Sequence, residues 1–279
     1  MNIRKINKSE LPDQLQNIPT PPKQLFAIGD IPTDKPFITI VGSRKPTAYG
    51  TEITEIIARD LAMSGAIVVS GLALGIDSIA HKACIEAGGL TVAVLPCGLD
   101  KIYPATHRNL ALQILEKGGA LVSEYEAGTP ALKQNFVARN RLVSGLSQAT
   151  IIIEAAQKSG TLITAGFALE QNRDVYAVPG NITSPTSAGT NQLISQGAGI
   201  ITSGTQLLES LGLTQQKRNL SGDNDVETQI IDLIVGGIRD GDDIHNQMNI
   251  DTVEFNQALT MMEITGKIKP LGANQWTIR

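Results

Sequence analysis

The sequence of 279 residues is poor in cysteine and in long apolar runs. Its two cysteines, Cys84 and Cys97, lie in apolar segments, and two cysteines cannot form a zinc site alone. We therefore expect buried thiols in a reducing compartment and no metal. The chain has no run as long as a membrane span, and residues 1–5 lack the apolar core of a signal peptide. These features predict a cytoplasmic protein without a membrane partner.

Aromatic residues make up 4% of the chain and the net charge is −4, which disfavours a protein that coats nucleic acid indiscriminately. The charge is also uneven along the chain. Residues 223–279 have ten acidic and four basic residues, whereas residues 1–222 have 17 acidic and 19 basic residues. A site for a polyanion is therefore expected in the larger part, and it must be local.

Short β-branched runs alternate with amphipathic stretches from residue 36 onward. Runs that are apolar throughout are typical of strands covered on both faces, so the pattern predicts an extended Rossmann-like α/β domain with a doubly wound, mostly parallel sheet. The proline-rich residues 1–36 are interpreted as an irregular lead-in, residues 37–213 as this domain and residues 214–224 as a linker. The expected strands are 37–41, 66–70, 91–95, 120–123, 149–153, 175–178 and 199–201.

Residues 225–279 have the pattern of a small winged-helix domain. The third helix of a winged helix often contacts duplex DNA, but here the segment from Asp251 to Gly266 contains no lysine or arginine. We expect a protein-interaction or self-regulatory role for this domain. Its predicted elements are helices over 226–235, 242–248 and 252–264 and a hairpin over 267–278.

The first strand of the larger domain leads into the turn Gly42-Ser43-Arg44-Lys45. A glycine turn before a helix presents N–H groups to an anion, and the two cations add charge, which is typical of phosphate binding. A structural turn with a solvated cation pair is the alternative. Arg44 stands where a dinucleotide-binding fingerprint has glycine, and the chain has no P-loop motif, so NAD and ATP enzymes are disfavoured.

Two later segments place cations and amides around one aromatic residue each. An aromatic ring can stack a base while guanidinium groups hold phosphate. The alternatives are a tyrosine that packs on the domain and arginines that pair with local acids. The first segment contains Tyr103, Arg108 and Asn109, and the second contains Lys133, Phe136, Arg139, Asn140 and Arg141.

Further small-residue turns are expected at the same edge of the sheet. Asp77 and His81 are one helical turn apart and are interpreted as a helix-surface contact. The chain has neither a nucleophile elbow nor an acidic cluster with metal-ligand spacing, so the constellation predicts a binding site without a cofactor rather than an enzyme. The turns add Gly71, Ser159, Gly160, Thr161 and Asn191 to the candidate site.

Six segments occur in a fixed order: Ile40–Arg44, Ser70–Asp77, Tyr103-Pro104, Phe136 with Arg139–Arg141, Ser159–Thr161 and Pro179-Gly180. This set resembles the DprA/Smf family of DNA-processing proteins over about residues 11–210. The resemblance implies a dimeric protein that binds single-stranded DNA in a basic pocket and loads a RecA-type recombinase during natural transformation. By position, that pocket would include Ser43, Arg44, the loop from Tyr103 to Asn109, and Phe136 with Arg139–Arg141.

Two other functions remain open. The segment from Arg139 to Thr161 is similar in layout to nucleoside-monophosphate phosphoribohydrolases, although Thr164 stands where those enzymes have a glutamate. In that case Thr161 or Glu154 would be needed to release a free base from AMP. A sensor that binds a small nucleotide in the same pocket is the second alternative.

Overall fold

The computed structural model describes residues 2–214, 222–248 and 250–278. The chain divides into two compact units, residues 1–216 and residues 217–279. Each unit has its own apolar core. The linker predicted over residues 214–224 lies mostly outside the described residues.

In the described part of the first unit, nine strands form one sheet. The strands are β1 (Arg4–Asn7), β2 (Gln24–Ile28), β3 (Phe37–Val41), β4 (Ile67–Ser70), β5 (Thr91–Leu95), β6 (Ala120–Ser123), β7 (Ala149–Ile152), β8 (Asp174–Ala177) and β9 (Gly199–Ile200). The helices are α1 (Asp13–Gln16), α2 (Ala48–Met63), α3 (Ile76–Glu86), α4 (Arg108–Glu116), α5 (Lys133–Gly145), α6 (Thr161–Glu170), α7 (Ala188–Ser195) and α8 (Gly204–Ser210).

The strand order is β1-β2-β6-β5-β4-β3-β7-β8-β9. Strands β3 to β9 pair in parallel with one another, while β1 and β2 pair antiparallel at one edge and β2 also pairs antiparallel with β6. The predicted α/β class with a mostly parallel sheet is therefore confirmed. The prediction that residues 1–36 are irregular is wrong, because β1 and β2 lie in this segment and extend the sheet. The prolines that suggested irregular structure lie between these two strands, where they do not interrupt the hydrogen-bond ladder.

The central strand β3 shows why these runs form a covered sheet. All five of its residues are buried. Successive side chains point to opposite faces, so Ile38 and Ile40 join one core cluster while Phe37 and Val41 join the other. Full burial of one such side chain contributes about 1.5–3 kcal/mol to the stability of the fold. The apolar side chains on both faces therefore stabilise the sheet.

The strand order reverses at β3. Strands β4, β5 and β6 follow on one side of β3, and β7, β8 and β9 follow on the other. Ligands of open parallel sheets bind outside the carboxyl ends of the strands at such a switch point. The turns after β3 and β7 meet there, since Thr161 Oγ1 donates a hydrogen bond of 3.0 Å to the carbonyl oxygen of Gly42.

Both cysteines are buried free thiols, as predicted. Burial raises the pKa of the Cys84 thiol to about 12 and that of Cys97 to about 11. Neither is therefore a reactive thiolate. Within the described ranges, no helix is both long enough and apolar enough to cross a bilayer.

The second unit contains helices and a hairpin at the positions predicted. Asp240, rather than Asp242 or Asp243, caps the second helix, because its carboxylate accepts the N–H groups of both. Asp251 caps the third helix in the same way. Assignment as a winged helix stays a prediction. The elements are α9 (Asp225–Val235), α10 (Gly241–Gln247), α11 (Thr252–Ile264), β10 (Ile268–Gly272) and β11 (Gln275–Ile278).

Candidate functional site

A cavity of about 810 Å³ lies at the carboxyl ends of the parallel strands. The turn after β3, helix α5 and the turn before α6 contribute to its lining. Segments that are far apart in the sequence therefore meet at one edge of the sheet. The predicted site residues that line this cavity are Gly42, Ser43, Arg44, Tyr103, Lys133, Phe136, Arg139, Asn140, Ser159, Gly160 and Thr161.

Arg44, Phe136 and Tyr103 form a cation–aromatic cluster at the cavity. The guanidinium carbon of Arg44 lies 5.5 Å from the ring centre of Phe136, which is within cation–π range. The ring of Tyr103 meets that of Phe136 edge-on, with centroids 5.4 Å apart. Tyr103 is 46% exposed, so aromatic surface remains free for a ligand. A smaller cavity of about 50 Å³ shares these residues and also contacts Gly71.

Arg139 also lines the cavity, but it is only 4% exposed. Its Nη1 donates to the carbonyl oxygen of Gly71 at 2.6 Å and to the carbonyl oxygen of Val94. Its Nε donates to Asn140 Oδ1 at 3.3 Å. Burial lowers the pKa of the guanidinium to about 10, an effect that the nearby Asp77 opposes. Arg139 therefore joins the ends of β4 and β5 and has a structural role, while its contact with phosphate stays a prediction.

Gly71 and Asp77 complete the surroundings of Arg139. A Cβ atom on Gly71 would collide with the guanidinium, so the arginine requires glycine here. Asp77 Oδ2 accepts the N–H of Gly71 at 3.0 Å. Burial raises the pKa of this carboxyl, and Arg139 opposes the rise. The predicted surface contact of Asp77 with His81 is wrong, because both are buried and His81 Nδ1 lies 2.6 Å from Thr91 Oγ1.

The remaining predicted site residues lie outside this lining. Arg141 pairs with Glu124 at 2.6 Å, so a neighbour already neutralises its charge. Asn191 accepts the N–H of Gly180 at 3.1 Å and donates to its carbonyl oxygen at 3.0 Å. Both side chains make structural contacts outside the lining, and their roles as ligand contacts stay predictions. The other residues outside the lining are exposed: Lys45, Arg108 and Asn109.

Glu154 has a positioning role that the sequence did not predict. It is 2% exposed, and its carboxylate accepts the N–H of Thr47 at 3.0 Å, the Thr47 hydroxyl at 2.6 Å and the Thr186 hydroxyl at 3.3 Å. Thr47 is the N-cap of α2 and accepts the N–H of Gly50 at 3.1 Å. A buried carboxylate therefore fixes the end of the turn that carries Arg44.

Lys158, Thr164 and Thr186 also line the cavity and were not among the predicted residues. Lys158 and Thr164 flank the predicted Ser159-Gly160-Thr161 turn. Their position after β7 was the available signal, because the carboxyl ends of parallel strands share one edge. Thr186 follows a loop whose path no local pattern indicated.

The chemistry of the cavity favours binding an anion and a base. Among its described lining residues, Asp77 is the one carboxylate, and backbone N–H groups and Arg139 already engage it. In the described part of the chain, no group of three His, Cys, Asp or Glu side chains is placed to hold a metal ion. Cations, hydroxyls and aromatic rings without a free general base match a binding site.

Known proteins are similar in sequence to this chain. Protein Smf of Escherichia coli is 44% identical over 201 residues, which cover 72% of this chain and 54% of that protein. DNA processing protein DprA of Bacillus subtilis is 41% identical over 213 residues, which cover 76% of this chain and 71% of that protein. The chain thus spans about half the length of the Escherichia coli protein.

Two solved structures have the same fold as the first unit. DNA processing protein A of Streptococcus pneumoniae has a TM-score of 0.69 at 36% identity and covers 75% of this chain and 74% of that one. DNA processing protein A of Helicobacter pylori has a TM-score of 0.68 at 34% identity and covers 76% of this chain and 96% of that one. A family model matches residues 2–212. That model describes the DNA recombination-mediator protein A family, and the chain therefore belongs to this family.

Proposed function

We propose that this chain binds single-stranded DNA at the cavity beside the Arg44–Phe136–Tyr103 cluster. One observation carries the proposal: an exposed guanidinium lies against an aromatic pair at the edge of a cavity of about 810 Å³. The relative from Helicobacter pylori, 34% identical, has a single-stranded DNA binding mode. Single-strand binders combine cations that follow the backbone with rings that stack bases.

In this proposal, different groups around the cavity contact the phosphates and the bases. Arg44 and Lys133 are exposed cations for the backbone, while Phe136 and Tyr103 offer faces to bases. Such contacts do not read base edges, so little sequence preference is expected. The proposed contacts in the cavity are Gly42, Ser43, Arg44, Tyr103, Lys133, Phe136, Asn140, Ser159, Gly160 and Thr161, with Lys45, Arg108 and Asn109 as further contacts outside it.

Reversal of the Arg44 charge tests this proposal. Arg44→Glu should weaken binding of a single-stranded oligonucleotide by about 10- to 100-fold, because hydrogen bonds to charged groups contribute about 1.5–3 kcal/mol. Gel shifts across a salt series measure the effect. The slope of log affinity against log salt should become shallower by about 0.7 for each phosphate that the variant no longer neutralises.

Lys117→Glu is the matched control for Arg44→Glu. Lys117 is an exposed cation that precedes β6, so it lies at the opposite edge of the sheet from the cavity. Its reversal changes the net charge equally and should leave affinity and salt slope close to those of the parent. Equal losses from both variants would show that net charge rather than the cavity governs binding.

The finer parts of the proposal concern partners. We propose that the chain forms a homodimer in the cytoplasm and passes single-stranded DNA to a RecA-type recombinase in natural transformation. Sedimentation of the full chain tests the dimer. A recombinase-filament assay on protein-coated single strands tests loading, and filament formation no faster than without the chain contradicts it.

We propose that the chain acts by binding and not as an enzyme. The phosphoribohydrolase alternative needs a free carboxylate at the cavity. Glu154 instead holds Thr47 and Thr186, and Thr164 stands where those enzymes have a glutamate. Incubation with AMP should release no adenine. Release that Glu154→Gln abolishes would restore the enzymatic alternative.

A further inference from the structure

Helix α6 begins at the cavity, and the carbonyl oxygens of Ser159 and Gly160 accept the N–H groups of Leu162 and Ile163 at 3.1 and 3.2 Å. Its N-cap residue is Gly160, and its first turn contains no acidic residue. Ser159 Oγ accepts the N–H of Thr161 at 3.1 Å, while the N–H of Gly160 has no partner in the described part of the chain. A helix N-terminus favours an anion through its dipole, but by itself it does not define a site.

Thr164 supplies a second, independent observation. It is 2% exposed and lines the cavity. Its hydroxyl has no hydrogen bond to any described residue, yet it is not sealed from solvent. The hydroxyl therefore opens into the cavity. A hydroxyl without a protein partner in a nearly buried side chain is free to donate to a ligand oxygen.

Lys158 provides the charge at this end of the cavity. It is exposed and lies two residues before Gly160. The carboxylate of Asp77, which also lines the cavity, is engaged by the N–H groups of Gly71 and Ala73. The end formed by Lys158, Gly160 and Thr164 therefore combines an ammonium, a backbone N–H and a hydroxyl, all of which donate to phosphate oxygens.

We infer that Lys158, Gly160 and Thr164 form a phosphate subsite for a nucleotide whose base contacts Phe136. The inference rests on the proposed function for the aromatic part of the cavity. The volume of about 810 Å³ lies within the range of about 300–1,000 Å³ that small-molecule sites occupy. The phosphate belongs either to a free nucleoside monophosphate or to the bound strand, and both sources offer the same oxygens.

Titration calorimetry on the full chain tests the subsite with thymidine 5′-monophosphate and with thymidine. Thr164→Val keeps the shape of the side chain and removes the hydroxyl, so affinity for the monophosphate should fall about threefold to tenfold. Lys158→Gln should reduce it about tenfold, because it removes a charged donor. Affinity for thymidine should not change in either variant. Thr260→Val, on an exposed residue of α11, and Lys117→Gln are the matched controls.

A thymidine oligonucleotide distinguishes the two phosphate sources. If both variants weaken the oligonucleotide while the free monophosphate does not bind, the subsite holds a phosphate of the strand. Parent affinity for both probes in both variants would overturn the subsite, and so would equal binding of thymidine and its monophosphate. Lys158 is exposed, so Lys158→Gln gives a result even if Thr164→Val does not fold. A parent chain that binds the monophosphate but not single strands would refute the proposed function alone.

Discussion

Helices α5 and α11 both present apolar side chains to solvent, but the charges around them are opposite. On α5, Val137 is 42% exposed and lines the cavity together with Phe136 and Lys133. On α11, Val253 is 67% exposed and Ile264 is 74% exposed. No lysine or arginine lies between residues 251 and 266, and the first turn of α11 contains an acidic residue.

The difference shows that exposed apolar surface does not by itself indicate a nucleic-acid site. Backbone phosphates require nearby cations, which α5 has and α11 lacks. The face of α11 that bears Phe255, Leu259 and Met262 forms the core of its own unit, so its exposed side chains lie on other faces. A protein-interaction or self-regulatory role for this acidic helix with exposed apolar side chains stays a prediction.

The largest expected effect tests the buried arginine that holds α5 against the sheet. Arg139→Met should destabilise the first unit by about 3 kcal/mol, because it leaves Asp77 buried without its cation. Arg141→Met is the matched control on the same helix. Its partner Glu124 is 22% exposed and can regain water, so the loss should be smaller. Scanning calorimetry of the full chain measures both losses.

The stability deficit of Arg139→Met should depend on pH, and this dependence tests the cause of the deficit. Burial raises the pKa of Asp77, and removal of Arg139 removes the charge that opposes this rise. A carboxyl with a raised folded-state pKa favours the folded state below its unfolded pKa and loses this advantage as the pH rises through the folded value. The deficit should therefore shrink as the pH is lowered. A deficit independent of pH would assign the loss to packing instead.

The sequence predicted the parallel part of the fold well because its signals are local. Strands β3 and β5 match their predicted bounds, since each is a short run of apolar and β-branched residues between turns. Strand β2 was missed because Pro21 and Pro22 precede it and suggested irregular structure. Its partner β6 lies about a hundred residues away, so no local pattern could indicate the antiparallel pairing.

The site was predicted in part, and the errors have a common physical origin. Residue types identified the cluster of Arg44, Tyr103 and Phe136, because cations and aromatic rings at strand ends are visible in sequence. Residue types could not separate Arg139 from Arg44. Burial of Arg139 depends on the space that Gly71 leaves, and this contact spans 68 positions in the sequence.

A smaller effect sharpens the contrast between the two helices. Phe136→Ala should reduce affinity for a thymidine oligonucleotide by about five- to a hundredfold, because stacking on an aromatic ring contributes about 1–3 kcal/mol per base. Met261→Ala removes a side chain that is 52% exposed on α11 and should leave affinity unchanged. Fluorescence anisotropy measures both. Equal losses would mean that apolar exposure, and not its combination with cations, determines binding.

The smallest expected effect comes from removal of the second unit. Residues 223–279 have ten acidic and four basic residues, and their net charge of −6 repels a polyanion. Their deletion should change single-strand affinity by less than about twofold, since the proposed contacts all lie in the first unit. In the full chain, Glu254→Lys places a cation beside exposed Val253 without removing any element. Two results would contradict this expectation: a large loss of affinity on deletion, or a gain from Glu254→Lys as large as the loss from Arg44→Glu. Either result would mean that the acidic unit contacts the bound strand. The separation of roles between α5 and α11 would then fail.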